Sequence, residues 1–261
     1  MSRIAQAFGR LKERGEKGLI TYLMAGDPDL GRTEELIALM AGAGADIIEI
    51  GIPFSDPLAD GPIIQAAANR ALSNGVTVRG ILEAVGRMRK KVNLPLVLMT
   101  YYNPVLQYGL ENFCCSAAEN GVDGLIVPDL PLEESGLLRE YTGRRGIDLI
   151  PLVAPTSTQE RLAAICAAAR GFVYCVSVTG VTGVRERIET DLRTLSVLIR
   201  NCTDLPVAIG FGVSGPDAAV RVAPYCDAVV VGSALVRLIG ENAYGEVGKL
   251  TAALKTALLQ C

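Results

Sequence analysis

Residues 19–51 read LITYLMAGDPDLGRTEELIALMAGAGADIIEIG. Leu19–Met24 is a short apolar run with strand-forming side chains, and Ile47–Gly51 is a second one. Between them, Leu30–Ala43 repeats its large apolar residues at three- and four-residue intervals, the period of a helix with one buried face. Strand, helix and strand in close succession make a parallel pair with a right-handed crossover. The turn after the first strand, residues 25–30, reads AGDPDL and lacks the GxGxxG pattern of a doubly wound dinucleotide-binding sheet. That leaves a closed barrel as the better way to bury such units, provided that eight strands occur in all.

Eight do. Further strands are predicted over Leu96–Thr100, Gly124–Val127, Asp148–Val153, Phe172–Ser177, Pro206–Gly210 and Ala228–Val231. Helical periodicity falls between them, over Ile63–Ser73 with Val78–Val92, Leu110–Asn120, Pro131–Arg145, Thr158–Ala169, Asp191–Asn201 and Pro216–Val222, with a last helix over Ala243–Leu259. An extra helix fits Ile4–Lys17. The expected fold is α/β, a single (β/α)8 barrel of the TIM type spanning residues 1–261, with an added N-terminal helix.

Composition narrows the chemistry. The chain has 261 residues, half of them hydrophobic, and a net charge of −3. No basic run suggests a nucleic-acid surface, and no apolar stretch reaches membrane-span length. The first residues lack the apolar centre of a signal peptide, which points to the cytoplasm. The seven cysteines form no CxxC pair and read as reduced, packed thiols. There is no histidine, which removes His-based triads, His general bases and His-bound metals. Lysines stand only at 12, 17, 90, 91, 249 and 255, none at a predicted strand end, so an imine-forming lysine is not expected either.

Barrel chemistry sits at the C-terminal ends of the strands. The second strand carries Glu49 there. Alternation puts Ile47, Glu49 and Gly51 on one face and Ile48 and Ile50 on the other, so Glu49 points into the barrel if the isoleucines meet helices. A buried carboxylate is costly unless paired or used, which makes Glu49 an acid/base candidate or a satisfied structural group. The loop that follows, residues 53–62, reads PFSDPLADGP. Asp60 is a second candidate, or the N-cap of the helix near Pro62. Asp56 before Pro57 also suits simple turn chemistry. After strands seven and eight, Gly210, Phe211, Gly212 and Ser214, then Gly232 and Ser233, suit a phosphate held by backbone amides and hydroxyls at helix N-termini, or tight ligand-free turns. Gly180–Gly183, around Thr182, suits a closing loop or an ordinary connection. Tyr22 and Tyr174 offer aromatic surface near the mouth, or core packing.

Together these segments resemble the α subunits of tryptophan synthase. The resemblance runs through residues 25–28 (AGDP), 49–62, 101–104 (YYNP), 127–131 (VPDLP), 154–156 (APT), 180–183 (GVTG) and 210–212 (GFG), of which 53–62 is the most specific. It implies retro-aldol cleavage of indole-3-glycerol phosphate to indole and glyceraldehyde 3-phosphate, without metal or imine. It implies Glu49 as acid/base and Asp60 as partner of the indole N–H. It implies Tyr22, Tyr101, Tyr174, Thr182, Gly183, Phe211, Gly212, Gly232 and Ser233 as substrate-binding positions. Tyr22 departs from the phenylalanine usual in the family. An α2β2 assembly is also implied, with Pro53, Asp56, Asn103 and Pro104 at the β contact. Pyridoxal phosphate would belong to that β partner, and no cofactor to this chain. Two other readings stay open: a free-standing indole-3-glycerol phosphate lyase, and a silent barrel that only activates a β-type partner.

Overall fold

The computed structural model describes residues 1–176, 185–210 and 212–261, with the backbone alone for 185–191. Its strands are β1 (Gly18–Met24), β2 (Ile47–Gly51), β3 (Leu96–Met99), β4 (Gly124–Ile126), β5 (Asp148–Leu149), β6 (Leu152–Val153), β7 (Val173–Val176), β8 (Val207–Gly210) and β9 (Ala228–Val231). The ladder runs β5-β4-β3-β2-β1-β9-β8-β7-β6, and every pairing is parallel. Consecutive strands thus lie side by side, and the first pairs with the last, as a TIM barrel requires.

One predicted strand, Asp148–Val153, is two. Pro151 has no N–H to give, so the ladder breaks around it. Ile150 N still donates to Leu125 O of β4, and Pro151 O accepts from Tyr174 N of β7. The segment therefore remains one stave, bonded to β4 at one end and to β7 at the other. The helix predicted over Pro131–Arg145 is likewise divided, into a short 3-10 turn Leu132–Glu134 and a helix Gly136–Arg144. The helix expected from Asp191 begins earlier, at Arg185. One short helix escapes the sequence reading, Tyr102–Tyr108, while Ser233–Gly240 is read there only as a helix start at Ser233 with no extent.

Side-chain alternation builds two cores. Ile48 and Ile50 lie in the outer layer between sheet and helices. Ile47 joins Ile20, Val97, Ile126, Ile150, Phe172, Ala208 and Val230 inside the barrel. The N-terminal helix Arg3–Arg14 closes the lower end. Ser2 caps its first turn, and Gly15 ends it with φ +65°, a left-handed turn suited to glycine. Its Ile4, Phe8 and Leu11, one helical face, are buried with the inner core, and Phe8 meets Phe172 at 5.6 Å between ring centres. Burial of each such side chain stabilises the fold by about 1.5–3 kcal/mol.

The lower rim is stitched by aspartates that precede strands. Asp46 accepts Leu19 N at 2.8 Å and Lys255 Nζ at 2.9 Å. Asp123 accepts Leu96 N at 2.9 Å, Arg3 at 2.9 Å and Arg89 at 2.6 Å. Asp227 accepts Val207 N at 2.8 Å and Arg200 at 3.1 Å. Each carboxylate satisfies an N–H at the start of a neighbouring strand and also meets a cation. Among the described residues no helix is long and apolar enough to cross a membrane. Buried Cys114 and Cys166 are packed as apolar groups, their thiols pushed by burial up to about 11.

Candidate active site

The upper ends of β1, β2, β3, β7, β8 and β9 surround a cavity of about 530 Å³. β2 brings Glu49 into it and β1 brings Tyr22, its register partner on the adjacent strand. Glu49 is 1% exposed, and neither carboxyl oxygen has a hydrogen-bond partner among the described residues. Burial is the main cause that raises its pKa to about 8, with the nearby Asp60 charge adding to it. A carboxyl poised there holds its proton at neutral pH and can both give and recover it.

Asp60 is half-buried on the facing loop. It does not cap the helix Pro62–Ser73: the N-cap is Gly61, with Pro62 in the first turn. The Asp60 carboxyl is thereby left to the cavity, while Gln65 Nε2 holds its main-chain oxygen at 2.8 Å. Burial raises its pKa, and the Tyr101 hydroxyl opposes that rise. Tyr101 does not line the cavity. It lies behind the loop, where its oxygen accepts Ala59 N at 2.9 Å, and its ring sits 5.4 Å from that of Phe54. Its proton remains available for Asp60. Tyr101 is thus placed to position the loop and the Asp60 carboxylate.

Two glycines at strand ends make room for the tyrosines. A methyl group at Gly51 would overlap the Tyr22 hydroxyl, and one at Gly210 the Tyr174 hydroxyl. Both rings line the cavity, and burial, with Glu49 nearby, pushes both phenols well above their ordinary range. The wall between the two tyrosines, at the ends of β8 and β9, is made by Gly212, Ser214, Gly232 and Ser233. Gly212 adopts φ +49°, in the left-handed region that favours glycine. Ser233 opens the helix Ser233–Gly240, so its hydroxyl and the free amides of that turn face the same space.

A family model described as tryptophan synthase alpha chain matches residues 8–258. This chain belongs to the tryptophan synthase alpha chain family. It is 48% identical to the tryptophan synthase alpha chain of Citrifermentans bemidjiense across 100% of this chain and 99% of that one. It is 51% identical to that of Carboxydothermus hydrogenoformans across 92% and 90%. Among solved structures, Mycobacterium tuberculosis tryptophan synthase superposes with a TM-score of 0.92 at 39% identity, covering 98% of both chains. The alpha chain of Legionella pneumophila superposes at 0.91 and 34% identity, covering 99% and 97%.

Of the positions expected from the family pattern, Tyr22, Glu49, Asp60, Tyr174, Gly212, Gly232 and Ser233 line one cavity. Thr182, Gly183 and Phe211 lie outside the described residues. Pro53, expected at a partner contact, is buried within the chain. Asp56 and Asn103 are exposed and Pro104 is half-buried. Near them stand two leucines that the sequence reading passed over, Leu58 at 90% exposure and Leu106 at 52%. It also missed Met99, Ile64 and Arg237 as cavity residues. Met99 had a signal, since it ends a strand on the Val97 face. Arg237 had one only if the helix starting at Ser233 was followed a full turn onward, which the sequence reading did not do.

Proposed function

We propose that this chain cleaves indole-3-glycerol phosphate to indole and glyceraldehyde 3-phosphate, with Glu49 and Asp60 as its catalytic groups. The observation that carries the assignment is Glu49: a fully buried carboxyl without a hydrogen-bond partner among the described residues, raised in pKa, opening on a cavity whose far wall suits a phosphate. Glu49 donates its proton to C3 of the indole ring, and the ring nitrogen becomes a positively charged iminium. Asp60 accepts the hydrogen bond of that N–H and stabilises the charge as it develops. The Glu49 carboxylate then takes the proton of the hydroxyl on the side-chain carbon attached to C3. The bond between that carbon and C3 breaks, its electrons neutralise the ring, and an aldehyde forms. Glu49 ends protonated, as it began. Tyr22 and Tyr174 flank the ring, while Gly212, Gly232 and Ser233 hold the phosphate.

The chain acts in this reading as one domain over residues 1–261, needs no cofactor of its own, and works in the cytoplasm. It joins a tryptophan synthase β subunit in an α2β2 tetramer, and that partner carries pyridoxal phosphate and turns indole into tryptophan. Exposed Leu58 and Leu106, on two segments tied together through Tyr101, support a partner surface around Asp56, Asn103 and Pro104. Indole release by the purified chain, alone and with a β subunit, tests the proposal. Slow release that β accelerates is expected. Fast release indifferent to β would make the protein a free-standing lyase, and no release in either condition overturns the reaction.

A further inference from the structure

The cavity is electrically lopsided. Glu49 and Asp60 sit toward β2, and Arg237 is the one cationic side chain among its described lining residues. Arg237 stands four residues after Ser233 on the same helix, so the two share a face. Helical side chains lean toward the N-terminus of their helix, which carries the guanidinium back over the turn that Ser233 begins. The Arg237 guanidinium, on an exposed residue, makes no hydrogen bond or ion pair among the described residues, so it is free to meet an anion in the cavity. An arginine that served only the helix dipole would gain nothing from facing a cavity.

We propose that Arg237 is a specificity-determining residue that reads the charge of the substrate's phosphate. The inference rests on the retro-aldol reading, which puts a phosphate monoester beside Ser233. Amides and a hydroxyl can hold phosphate oxygens in place, and they do so for monoanion and dianion alike. A planar guanidinium matches two oxygens at once and favours the doubly charged form, whose last proton leaves near pH 6. It also offsets the repulsion that a dianion meets from Asp60 across the cavity. The gradient from Arg237 to Asp60 then orients the substrate, phosphate outward from β9 and ring nitrogen toward the loop.

The test compares Arg237→Gln and Arg237→Lys with the wild-type chain, with circular dichroism verifying the fold. Two quantities are read: the KM and kcat of indole formation, and the affinity for inorganic phosphate measured by calorimetry without turnover. Arg237→Gln is expected to raise KM and the phosphate Kd by about tenfold or more, the worth of one charge-assisted hydrogen bond. Its effect on kcat is expected to stay under about threefold, with Arg237→Lys in between. Between about pH 6 and 8 the wild-type Kd should tighten as inorganic phosphate, whose second proton leaves at about pH 7, becomes a dianion, and the Gln variant should lose most of that slope. Unchanged KM and Kd in Arg237→Gln, or an unchanged pH slope, overturn the proposal. A chain that makes no indole yet loses phosphate affinity in Arg237→Gln would overturn the reaction and keep the anion site.

Discussion

Asp123 and Glu49 are both buried carboxylates at strand ends of one sheet, and the chain treats them in opposite ways. Asp123, at the lower rim, meets two guanidiniums and a backbone amide. Glu49, at the upper rim, meets no hydrogen-bond donor among the described residues and keeps its proton instead. Asp46 and Asp227 repeat the first pattern. Burial is the same physical load at both rims, and only the presence of donors differs. Where donors are supplied, a carboxylate holds strands in register. Where they are withheld, its proton becomes available for chemistry.

The contrast breaks first at Glu49. Replacing it with Gln is expected to lower indole formation by about 10³-fold, the scale of a lost general acid and base. The fold should persist, since the amide brings no buried charge; a variant that fails to fold would make Glu49 structural. The pH dependence adds a sign. The folded-state pKa of about 8 lies above the unfolded value near 4.3, so the native state binds the extra proton between them. Stability therefore falls as pH rises through that window, by up to about 1.4 kcal/mol per unit. Denaturant melts should show this slope in the wild type and its reduction in Glu49→Gln. Indole formation should also decline above about pH 8, where Glu49 no longer carries the proton it must donate.

Asp123→Asn sharpens the other side. Removing the charge strands Arg89, and the expected loss is about 3 kcal/mol of folding stability, with kcat at 25 °C unchanged. A fall in kcat beyond about twofold would mean that the two rims are coupled. Tyr101→Phe should cost less, roughly tenfold in kcat, through a loosened Ala59 and an Asp60 carboxyl left without its hydroxyl. Since Tyr101 lowers the Asp60 pKa, its removal raises it, and activity should be lost at a higher pH on acidification. The smallest effect belongs to Tyr22→Phe, under about threefold in kcat/KM, because the ring that flanks the substrate stays.

Much of this contrast was legible before any coordinates. Short β-branched runs and helical periods show the staves, and the Ile48/Ile50 alternation places Glu49 inward. What escaped has physical causes. Pro151 splits a stave because a missing N–H outweighs an otherwise strand-like run. The helices Tyr102–Tyr108 and Ser233–Gly240 are short, and neither N-cap, Tyr101 or Gly232, makes a side-chain capping bond, so Ser233 alone hints at a start and the extent of neither helix is signalled. Asp60 beside Pro62 carries the local signature of a cap, yet the helix starts one residue later and leaves the carboxyl to the cavity. Tyr101 looks like a pocket residue in sequence and acts as a brace in space, because its partner Ala59 is 42 positions away.

The pairing of β1 with β9 has a consequence for how the chain is made. Residues 18–21 of the first strand hydrogen-bond along residues 228–231, which are made long after them. At about 5–20 residues per second, one edge of the first strand waits on the order of ten seconds or more for its neighbour. The apolar face of the helix Arg3–Arg14 has the same wait, since Phe172 and Ala228 complete its seat. The barrel is thus a structure in which an early strand depends on one made much later, and a translation stall upstream of residue 228 leaves an open edge for another chain to find.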